Sequence, residues 1–451
     1  MNFNEEQYEI KDTNAHKKLV SLFDEGSFTE IDAYAKSNGN DIEVVAGFGC
    51  VYGTPVYAFS QDVTVNGGAI SKAQGAKIKK IYDLAAKTGT PIIGMYNSNG
   101  VNLNEGIEVL AAYGEMLKLS NSISGVVPQI SVILGTCVGT SALVAAAADV
   151  VIMHKNADMY LSVPSKVTAD DCLKSGVASL VADNEDKAIE LAKEVVSLLP
   201  INNLSPSPIT EFSEDTTFLS NDCVTVKGDI LSTISAIADV NSVIDLSKDF
   251  APNVKTTLAT VAGNTVGFIG FDRQAVTGES CDKATRFIRL CDAYSLPIIT
   301  LVNTEGYDKS ETAEKSGILR QASKLTSAYA EATTVKISLI VGNAIGSSYI
   351  SLAGRGANAD MVFAWKCAVV SPLEPQAAVA FMYNERLANG ENRDALVKEY
   401  VSNEASPMVA ASLGQIDDVF APANSRAKLI SALDMLAGKR VSTLAKKHSV
   451  I

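Results

Sequence analysis

The chain has 451 residues, of which 47% are hydrophobic and 20% are charged, and its formal net charge is −13. This length allows one large or two ordinary domains with a full hydrophobic core. The acidic balance, without a basic stripe or an aromatic platform, excludes nucleic acid as an expected partner. The polar N-terminus does not resemble a signal peptide, and the longest apolar run is too short to span a bilayer, so we expect a cytoplasmic protein.

Helical and strand patterns alternate in the first half of the chain. Apolar residues at positions 78, 81, 84 and 85 recur at helical spacing and precede a strand-like segment, PIIGMY (91–96). Two later runs, QISVILG (129–135) and DVVIM (149–153), show no polar alternation. Continuous apolar strands are buried on both faces, with helices covering them. The pattern therefore predicts an α/β fold.

The segment GTCVGTS (135–141) joins one of these strands to a predicted helix and consists mainly of small residues. The first N–H groups of a helix have no acceptor inside it, so they suit an anion or an oxygen on which charge develops. Such an oxyanion hole requires no catalytic side chain. Tight packing of the helix against the sheet is the alternative explanation. A Walker phosphate loop is excluded because the segment lacks its lysine.

The second half of the chain repeats the first. The segment GNAIGSS (342–348) matches GTCVGTS, and the upstream pairs GTPVYAFSQD/GNTVGFIGFD and PIIGMYNSNG/PIITLVNTEG match at offsets between 206 and 211 residues. A stretch rich in Pro, Ser and Asn at 198–212 is typical of a linker. We therefore predict two copies of one α/β domain, at residues 1–204 and 205–451.

Side chains that usually carry acid–base or metal chemistry are sparse. The three histidines, His16, His154 and His448, are widely separated, so we expect surface or structural roles for them and no metal site. The seven cysteines form no C-x-x-C motif and are expected to be buried free thiols in a reducing compartment. A reaction at this chain is therefore expected to proceed without a histidine base.

At these motifs the sequence resembles the carboxyltransferase subunits of biotin-dependent acyl-CoA carboxylases and decarboxylases. This is the family of the propionyl-CoA carboxylase β subunit and the methylmalonyl-CoA decarboxylase α subunit. The likeness covers nearly the whole chain, and its most specific segments are LFDEGSFTEID, YGTPVYAFSQDVTVNGGAISKAQGAKI, SGVVPQISVILGTCVG, DKATRFIRLCDAYSLPIITLV and KKHSVI. The resemblance implies two tandem crotonase-like domains, of which residues 1–204 serve the acyl-CoA side and residues 205–451 the biotin side.

The resemblance also implies the reaction, in which a carboxyl group moves between carboxybiotin and the α-carbon of a short acyl-CoA. Two oxyanion holes stabilise enolate-like states. The first falls on the backbone N–H groups of Gly139 and Thr140, and the second on those of Ser347 and Ser348, after Gly346. The family usually has Gly-Gly and Gly-Ala at these places. A β-branched residue such as Thr140 is poorly tolerated if the turn requires a positive φ there.

The resemblance also assigns four further positions to cofactor and substrate binding. They are Gly100, Asn102, Gly135 and Gly317. Asn102 stands where the family has an arginine, so a positive charge expected beside CoA is missing. The lysine-rich run KIKK (77–80) is a candidate for contacting CoA phosphates, with a solvated helix face as the alternative.

Partners are likewise implied by the resemblance. The chain has no Met-Lys-Met biotinylation site, so biotin is expected on a separate carrier protein, with acyl-CoA as the substrate. A biotin carboxylase partner implies carboxylation. A membrane decarboxylase pump subunit implies sodium-pumping decarboxylation at the membrane periphery. A homo-oligomer, either a dimer or a trimer of dimers, is expected. Two alternatives stay open: a non-catalytic structural subunit of a carboxylase assembly, and a biotin-independent crotonase-type decarboxylase or hydrolase.

Overall fold

A computed structural model describes residues 13–37, 39–162, 165–213, 219–221, 229–441 and 450. His448 and most of the C-terminal segment KKHSVI lie outside these residues. The chain divides into two compact units, Met1–Pro208 and Ile209–Ile451. This division falls inside the predicted linker, close to the predicted boundary between residues 204 and 205.

The first unit is built on one mixed sheet. Its strands are β1 (Thr29–Glu30), β2 (Lys36–Ser37), β3 (Asn40–Asp41), β4 (Val44–Val51), β5 (Thr54–Gln61), β6 (Ile92–Ser98), β7 (Gln129–Val138), β8 (Val150–His154), β9 (Asp158–Tyr160) and β10 (Leu180–Ala182). Its helices are α1 (Asn14–Leu22), α2 (Lys72–Thr88), α3 (Glu108–Ser122), α4 (Thr140–Ala146), α5 (Ala169–Lys174) and α6 (Glu185–Leu198). The order in the sheet is β1-β4-β5-β6-β7-β8-β10, with β9 paired to β7, while β2 and β3 form a separate ribbon.

The second unit repeats this sheet. Its strands are β11 (Ile244–Leu246), β12 (Val254–Val261), β13 (Asn264–Asp272), β14 (Ile298–Thr304), β15 (Lys336–Ile345), β16 (Met361–Trp365), β17 (Val369–Ser371) and β18 (Asp418–Phe420). Its helices are α7 (Ile230–Ile237), α8 (Gly278–Ala293), α9 (Glu311–Ser316), α10 (Ile318–Glu331), α11 (Pro375–Met382), α12 (Asn384–Ala388), α13 (Arg393–Glu404), α14 (Pro407–Ser412) and α15 (Ser425–Leu436). The order β11-β12-β13-β14-β15-β16-β18, with β17 on β15, matches the first unit strand for strand. The predicted α/β class and the duplication are confirmed.

The helix predicted from apolar spacing is α2. Its Ile78, Ile81 and Ala85 are completely buried, so the apolar stripe faces the sheet as the 3.6-residue period requires. The helix begins where the hydroxyl of Ser71 accepts from the N–H of Gln74, and it ends at Gly89 in the left-handed conformation. The strands that follow it, β6 and β7, pair in parallel and are buried along the apolar runs noted in the sequence.

Both long central strands change partners at a bulge. Tyr96 pairs with Ile133, but Ser98 pairs with Cys137, so extra residues of β7 lie opposite one residue of β6. Up to Ile133, β7 pairs with β8, and beyond the bulge it pairs with β9. The second unit has the same shift between β14 and β15, followed by pairing with β17. The bulge redirects the end of each strand, and that end leads into the small-residue turn predicted from the sequence.

An aspartate closes the β-hairpin of each unit in the same way. In the first unit Asp24 accepts from the N–H groups of Tyr52 and Gly53, at 2.9 and 2.8 Å. In the second unit Asp239 accepts from Ala262 and Gly263, at 3.0 and 2.8 Å, and also pairs with Arg426 at 2.6 Å. Burial alone would raise the pKa of Asp239, but these hydrogen bonds hold its pKa below the ordinary value.

We expect Asp239→Ala to destabilise the protein by about 3 kcal/mol, because it leaves the partly buried Arg426 without its carboxylate partner. Asp24→Ala removes the matched hairpin contacts without orphaning a cation and is expected to cost about 1–2 kcal/mol. Calorimetric melting of the two variants measures the difference. Equal losses would show that the Arg426 pair contributes nothing to stability.

The cysteines follow the sequence expectation with one exception. Among the described residues, Cys50, Cys137, Cys172, Cys281 and Cys291 are free thiols, and all but the half-buried Cys50 are buried. Cys367 is disulfide-bonded, so the expectation of free thiols throughout is wrong at this position. Sequence spacing could not reveal this bond, since disulfide pairing depends on tertiary proximity. None of the described helices combines the length and apolar composition that crossing a membrane requires.

Candidate active site

The first predicted hole lies where β7 ends and α4 begins. Gly139 connects the two elements with φ 71° and ψ −134°, a conformation in which an L side chain would be strained. Its own N–H donates to the carbonyl of Tyr160 at 3.0 Å, which ties the turn to β9. The glycine is therefore required by the backbone, and its N–H is already hydrogen-bonded in this conformation.

Thr140 is the first residue of α4 and does not have a positive φ. The concern about a β-branched residue at this place is thus resolved, because the positive φ belongs to Gly139 instead. No described residue accepts a hydrogen bond from the Thr140 N–H. Thr140 is half-buried, so the residue is partly open to a ligand. Of the two predicted donors, Thr140 is the one that this geometry leaves available.

The second predicted hole repeats the first. Gly346 has φ 60°, and its N–H donates to the carbonyl of Ser371 at 2.8 Å, as Gly139 does to Tyr160. Ser347 is exposed, and Ser348 has φ −66° and ψ −38°, so neither serine requires a positive φ. The Ser348 hydroxyl donates to the carbonyl of Ile345 at 2.6 Å. A π-helical turn, Tyr349–Ala353, follows in place of an α-helix. Such turns often occur at functional sites.

Gly135 lies in the bulge of β7 and packs against a side chain. A Cβ at this position would collide with the amide group of Asn97 on β6. Gly342 stands in the same relation to Asn303, whose oxygen also accepts from the N–H of Asn343 at 3.1 Å. The structure thus gives Gly135 a packing role beside the turn, and its role in cofactor binding stays a prediction.

Gly100 and Asn102 flank a short stretch of backbone that pairs with Ile70. Gly100 has φ 107°, and its N–H donates to the Ser98 hydroxyl at 3.2 Å. The side-chain oxygen of Asn102 caps the N–H of Asn104 at 3.1 Å. Asn102 therefore has a local structural role, and it brings no positive charge to this surface.

A cavity of about 660 Å³ lies beside Asn102. It is lined by Ser37, Asn40, Asp41, Glu43, Thr64, Val65, Asn66, Asn102, Asn104 and Glu105. Its ionisable lining residues are acidic, so the cavity repels rather than attracts phosphate groups.

Gly317 and the KIKK run both have structural explanations. Gly317 adopts a left-handed conformation, φ 88° and ψ 33°, where α9 ends and α10 begins. The Lys77 ammonium is buried 3.0 Å from Glu30, and Lys80 pairs with Asp32 at 2.7 Å. Lys79 lies 3.5 Å from Asp83. Their charges are compensated within the first unit, which favours the structural interpretation of the run.

Reactive side chains do not gather at either turn. Burial raises the pKa of the Cys137 thiol, next to the first hole, so it stays protonated and is a poor nucleophile near neutral pH. Tyr113 lies 3.3 Å from the hydroxyl of Ser141 on α4, and burial raises its pKa as well. Within the described ranges, no group of three or more His, Cys, Asp or Glu residues could hold a metal ion. What both turns offer chemically is backbone N–H donation.

Sequence reasoning missed the residues that hold these turns in place. Tyr160 and Ser371 accept from the turn glycines, and Asn97 and Asn303 fill the space left by bulge glycines. The asparagines stand at matched positions of the repeat, NSNG and NTEG, so the duplication itself could have pointed to them. The two acceptors use main-chain oxygens, which leave no trace in the sequence.

Comparison with known proteins agrees on one family. A family model described as "Carboxyl transferase domain" matches residues 14–451. The chain is 34% identical to the methylmalonyl-CoA decarboxylase subunit alpha of Veillonella parvula, over 99% of this chain and 94% of that one. It is 33% identical to the methylmalonyl-CoA carboxyltransferase 12S subunit of Propionibacterium freudenreichii subsp. shermanii, over 98% and 92%. A transcarboxylase 12S crystal structure, described as a hexamer with methylmalonyl-coenzyme A and methylmalonic acid bound, superposes with a TM-score of 0.89. Its identity is 32%, and the match covers 98% of this chain and 94% of that one.

Proposed function

The chain belongs to the carboxyl transferase family, and on that basis we propose that it moves a carboxyl group between biotin, carried on a separate protein, and the α-carbon of a propionyl- or methylmalonyl-type acyl-CoA. The resemblance drawn from the sequence motifs is confirmed at the level of the family, the fold and acyl-CoA carboxyltransferase activity. The observation that carries the proposal is the repeated turn, in which a glycine N–H is anchored and the next N–H stays available.

The first turn fits a thioester oxygen. Breaking the bond between the α-carbon and the carboxyl group leaves negative charge that spreads onto this oxygen as an enolate. The N–H of Thr140 can donate to it, and the donor is fixed before the reaction because Gly139 is anchored to Tyr160. Preorganised backbone donors of this kind stabilise charge without reorganisation, which is why they contribute strongly to rate.

The second turn fits a neutral ureido oxygen. Ser347 is exposed, its neighbour Gly346 has no Cβ, and the Ser347 N–H meets no acceptor among the described residues, whereas Ser348 is fully buried. Biotin, when bound, supplies the ureido nitrogen that takes or gives the carboxyl group and exchanges the proton with the α-carbon. Because biotin exchanges that proton, no histidine base is needed. This chain's own contribution is to hold the ureido oxygen.

The relatives support a proposal for the assembly. We propose a homo-oligomer, because a structural relative is described as a hexamer. We propose a biotin carrier as a separate chain. The third partner sets the direction: a biotin carboxylase for carboxylation, or a membrane decarboxylase pump subunit for decarboxylation. The names of the relatives include both decarboxylase and carboxylase subunits.

Isotope exchange tests the proposal. The purified chain is incubated with unlabelled methylmalonyl-CoA, propionyl-CoA labelled in its acyl carbons, and either free biotin or no biotin. We expect label to appear in new methylmalonyl-CoA only when biotin is present, since biotin is the carrier between the two acyl-CoA molecules. Turnover without biotin would instead indicate a biotin-independent decarboxylase. No turnover, even with the full complex, would indicate a structural subunit.

A further inference from the structure

A hydrogen-bonded chain of two side chains leads to the second turn. The hydroxyls of Tyr307 and Ser351 lie 2.7 Å apart, and the Ser351 hydroxyl donates to the carbonyl of Ser347 at 2.8 Å. A serine hydroxyl has a single proton, and that of Ser351 is given to Ser347. With that proton committed to Ser347, the contact with Ser351 has Tyr307 as its donor, and Tyr307 is thereby linked through Ser351 to the Ser347 carbonyl. The Thr326 side chain is a second hydrogen-bond partner of Tyr307.

The Ser347 carbonyl shares one peptide unit with the N–H of Ser348. A trans peptide is planar, so its C=O and N–H point in opposite directions, and holding the oxygen orients the N–H. A carbonyl that accepts a hydrogen bond also polarises its amide, which makes the N–H a better donor. The Ser348 hydroxyl holds the neighbouring carbonyl of Ile345 as well.

The first unit shows that the fold does not require these two hydroxyl groups. Tyr307 pairs with Val276 as Val101 pairs with Ile70, through the same pair of backbone hydrogen bonds, so Val101 is the equivalent residue. Val144 stands at the place of Ser351, the same distance after the turn glycine. Both equivalents are valines, yet the first turn has the same glycine geometry. The first turn has a tyrosine–serine pair at other positions, Tyr113 and Ser141, but among the described residues no hydrogen bond joins that pair to a carbonyl of the turn.

Tyr307 is suited to act as a permanent donor. It is largely buried, and burial raises its pKa to about 12, so the hydroxyl keeps its proton near neutral pH. Its partner Ser351 is also buried. A buried hydroxyl pair is costly unless fully hydrogen-bonded, and here each proton has an acceptor.

We propose that Tyr307 and Ser351 are positioning residues that hold the Ser347–Ser348 peptide, next to the exposed Ser347, and so fix the geometry of the second turn that binds the ureido oxygen of biotin. This inference rests on the proposed function. It adds a specific device on the biotin side that the acyl-CoA side lacks. Neither residue touches the reacting atoms, since both act through the Ser347 carbonyl.

Tyr307→Phe removes the hydroxyl and keeps the ring. We expect the dissociation constant of free biotin, measured by saturation-transfer NMR titration without acyl-CoA, to rise about 5- to 10-fold for the loss of one such hydrogen bond. The KM for free biotin in the exchange assay should rise with it, while the KM for methylmalonyl-CoA stays unchanged. Ser351→Ala should have the same effect. The double variant should be no worse than Ser351→Ala alone, because the residues act in series.

Tyr329→Phe is the matched control. The Tyr329 hydroxyl lies 2.9 Å from that of Thr300 in the same unit, is more deeply buried than Tyr307, and within the described part of the chain has no hydrogen bond to Ser351 or Ser347. This variant should lose comparable stability without changing biotin binding. Unchanged biotin binding in Tyr307→Phe, or an equal effect in Tyr329→Phe, would overturn the inference. A wild-type protein that shows no biotin-dependent exchange would instead overturn the proposed function.

Discussion

Replacing Thr140 with proline is expected to lower the rate of carboxyl exchange about 100- to 1,000-fold while leaving the fold intact. Thr140 is the first residue of α4, where proline is favoured because its fixed φ suits a helix start. The N–H that proline lacks has no acceptor among the described residues, so no internal hydrogen bond is lost. The preceding residue is Gly139, which has no Cβ to clash with the proline ring. The substitution thus deletes the proposed donor and little else.

Thr140→Ala and Thr140→Gly are the controls, because both keep the N–H and remove the side chain. We expect both to retain most of the exchange rate. Thermal melting of all three variants separates loss of the donor from loss of the fold. If Thr140→Pro kept the wild-type exchange rate, the thioester oxygen would have to be stabilised elsewhere. If Thr140→Ala were as inactive as the proline variant, the hydroxyl rather than the backbone would be responsible.

The sequence was most informative where the duplication repeats a feature, as it does for the glycine turn. A glycine-rich turn in a single copy could reflect packing or function, but the repeat placed Gly139 and Gly346 at equivalent points of two equal sheets. Continuous apolar runs predicted the buried strands correctly, because strands covered on both faces cannot alternate. These features depend on neighbours close in the chain or on the duplication, and both can be seen in a sequence.

The conformation of the turns could not be predicted from the sequence. Concern about a positive φ was attached to Thr140, yet the structure places that φ at Gly139. The anchoring of Gly139 depends on Tyr160, which reaches the turn only because β7 changes partners at its bulge. Contacts of this kind are tertiary and involve main-chain oxygens. Residue identity carries no information about them.

Sequence reasoning was least able to separate binding from packing at isolated glycines. Gly135 makes room for Asn97, and Gly317 ends a helix in the left-handed conformation. The absence of a Cβ serves a close ligand and a close side chain equally well. The resemblance to a family can therefore indicate that glycine is needed at a position, and the structure then shows which neighbouring group packs against it.

Gly346→Ala is expected to lower carboxyl exchange about 100-fold, through the second turn. An alanine at φ 60° costs about 1–2 kcal/mol, and its Cβ would lie 3.1 Å from the carbonyl oxygen of Pro372. The strain is relieved by rotating the adjacent peptides, which turns the N–H groups of Ser347 and Ser348 away from the ligand. We expect weaker binding of free biotin together with the lower rate, because this turn faces the biotin side.

Gly390→Ala supplies the control for conformational strain. Gly390 has φ 86°, and a Cβ there would meet nothing within 4 Å, so the substitution imposes a similar backbone cost away from the turn. Both variants should melt a few degrees below the wild type, but only Gly346→Ala should lose exchange activity and biotin binding. Equal activity in the two variants would place the ureido oxygen elsewhere. A loss confined to Gly346→Ala would separate the function of the second turn from the general cost of an alanine at positive φ, because both substitutions carry that cost and only Gly346 lies in the turn.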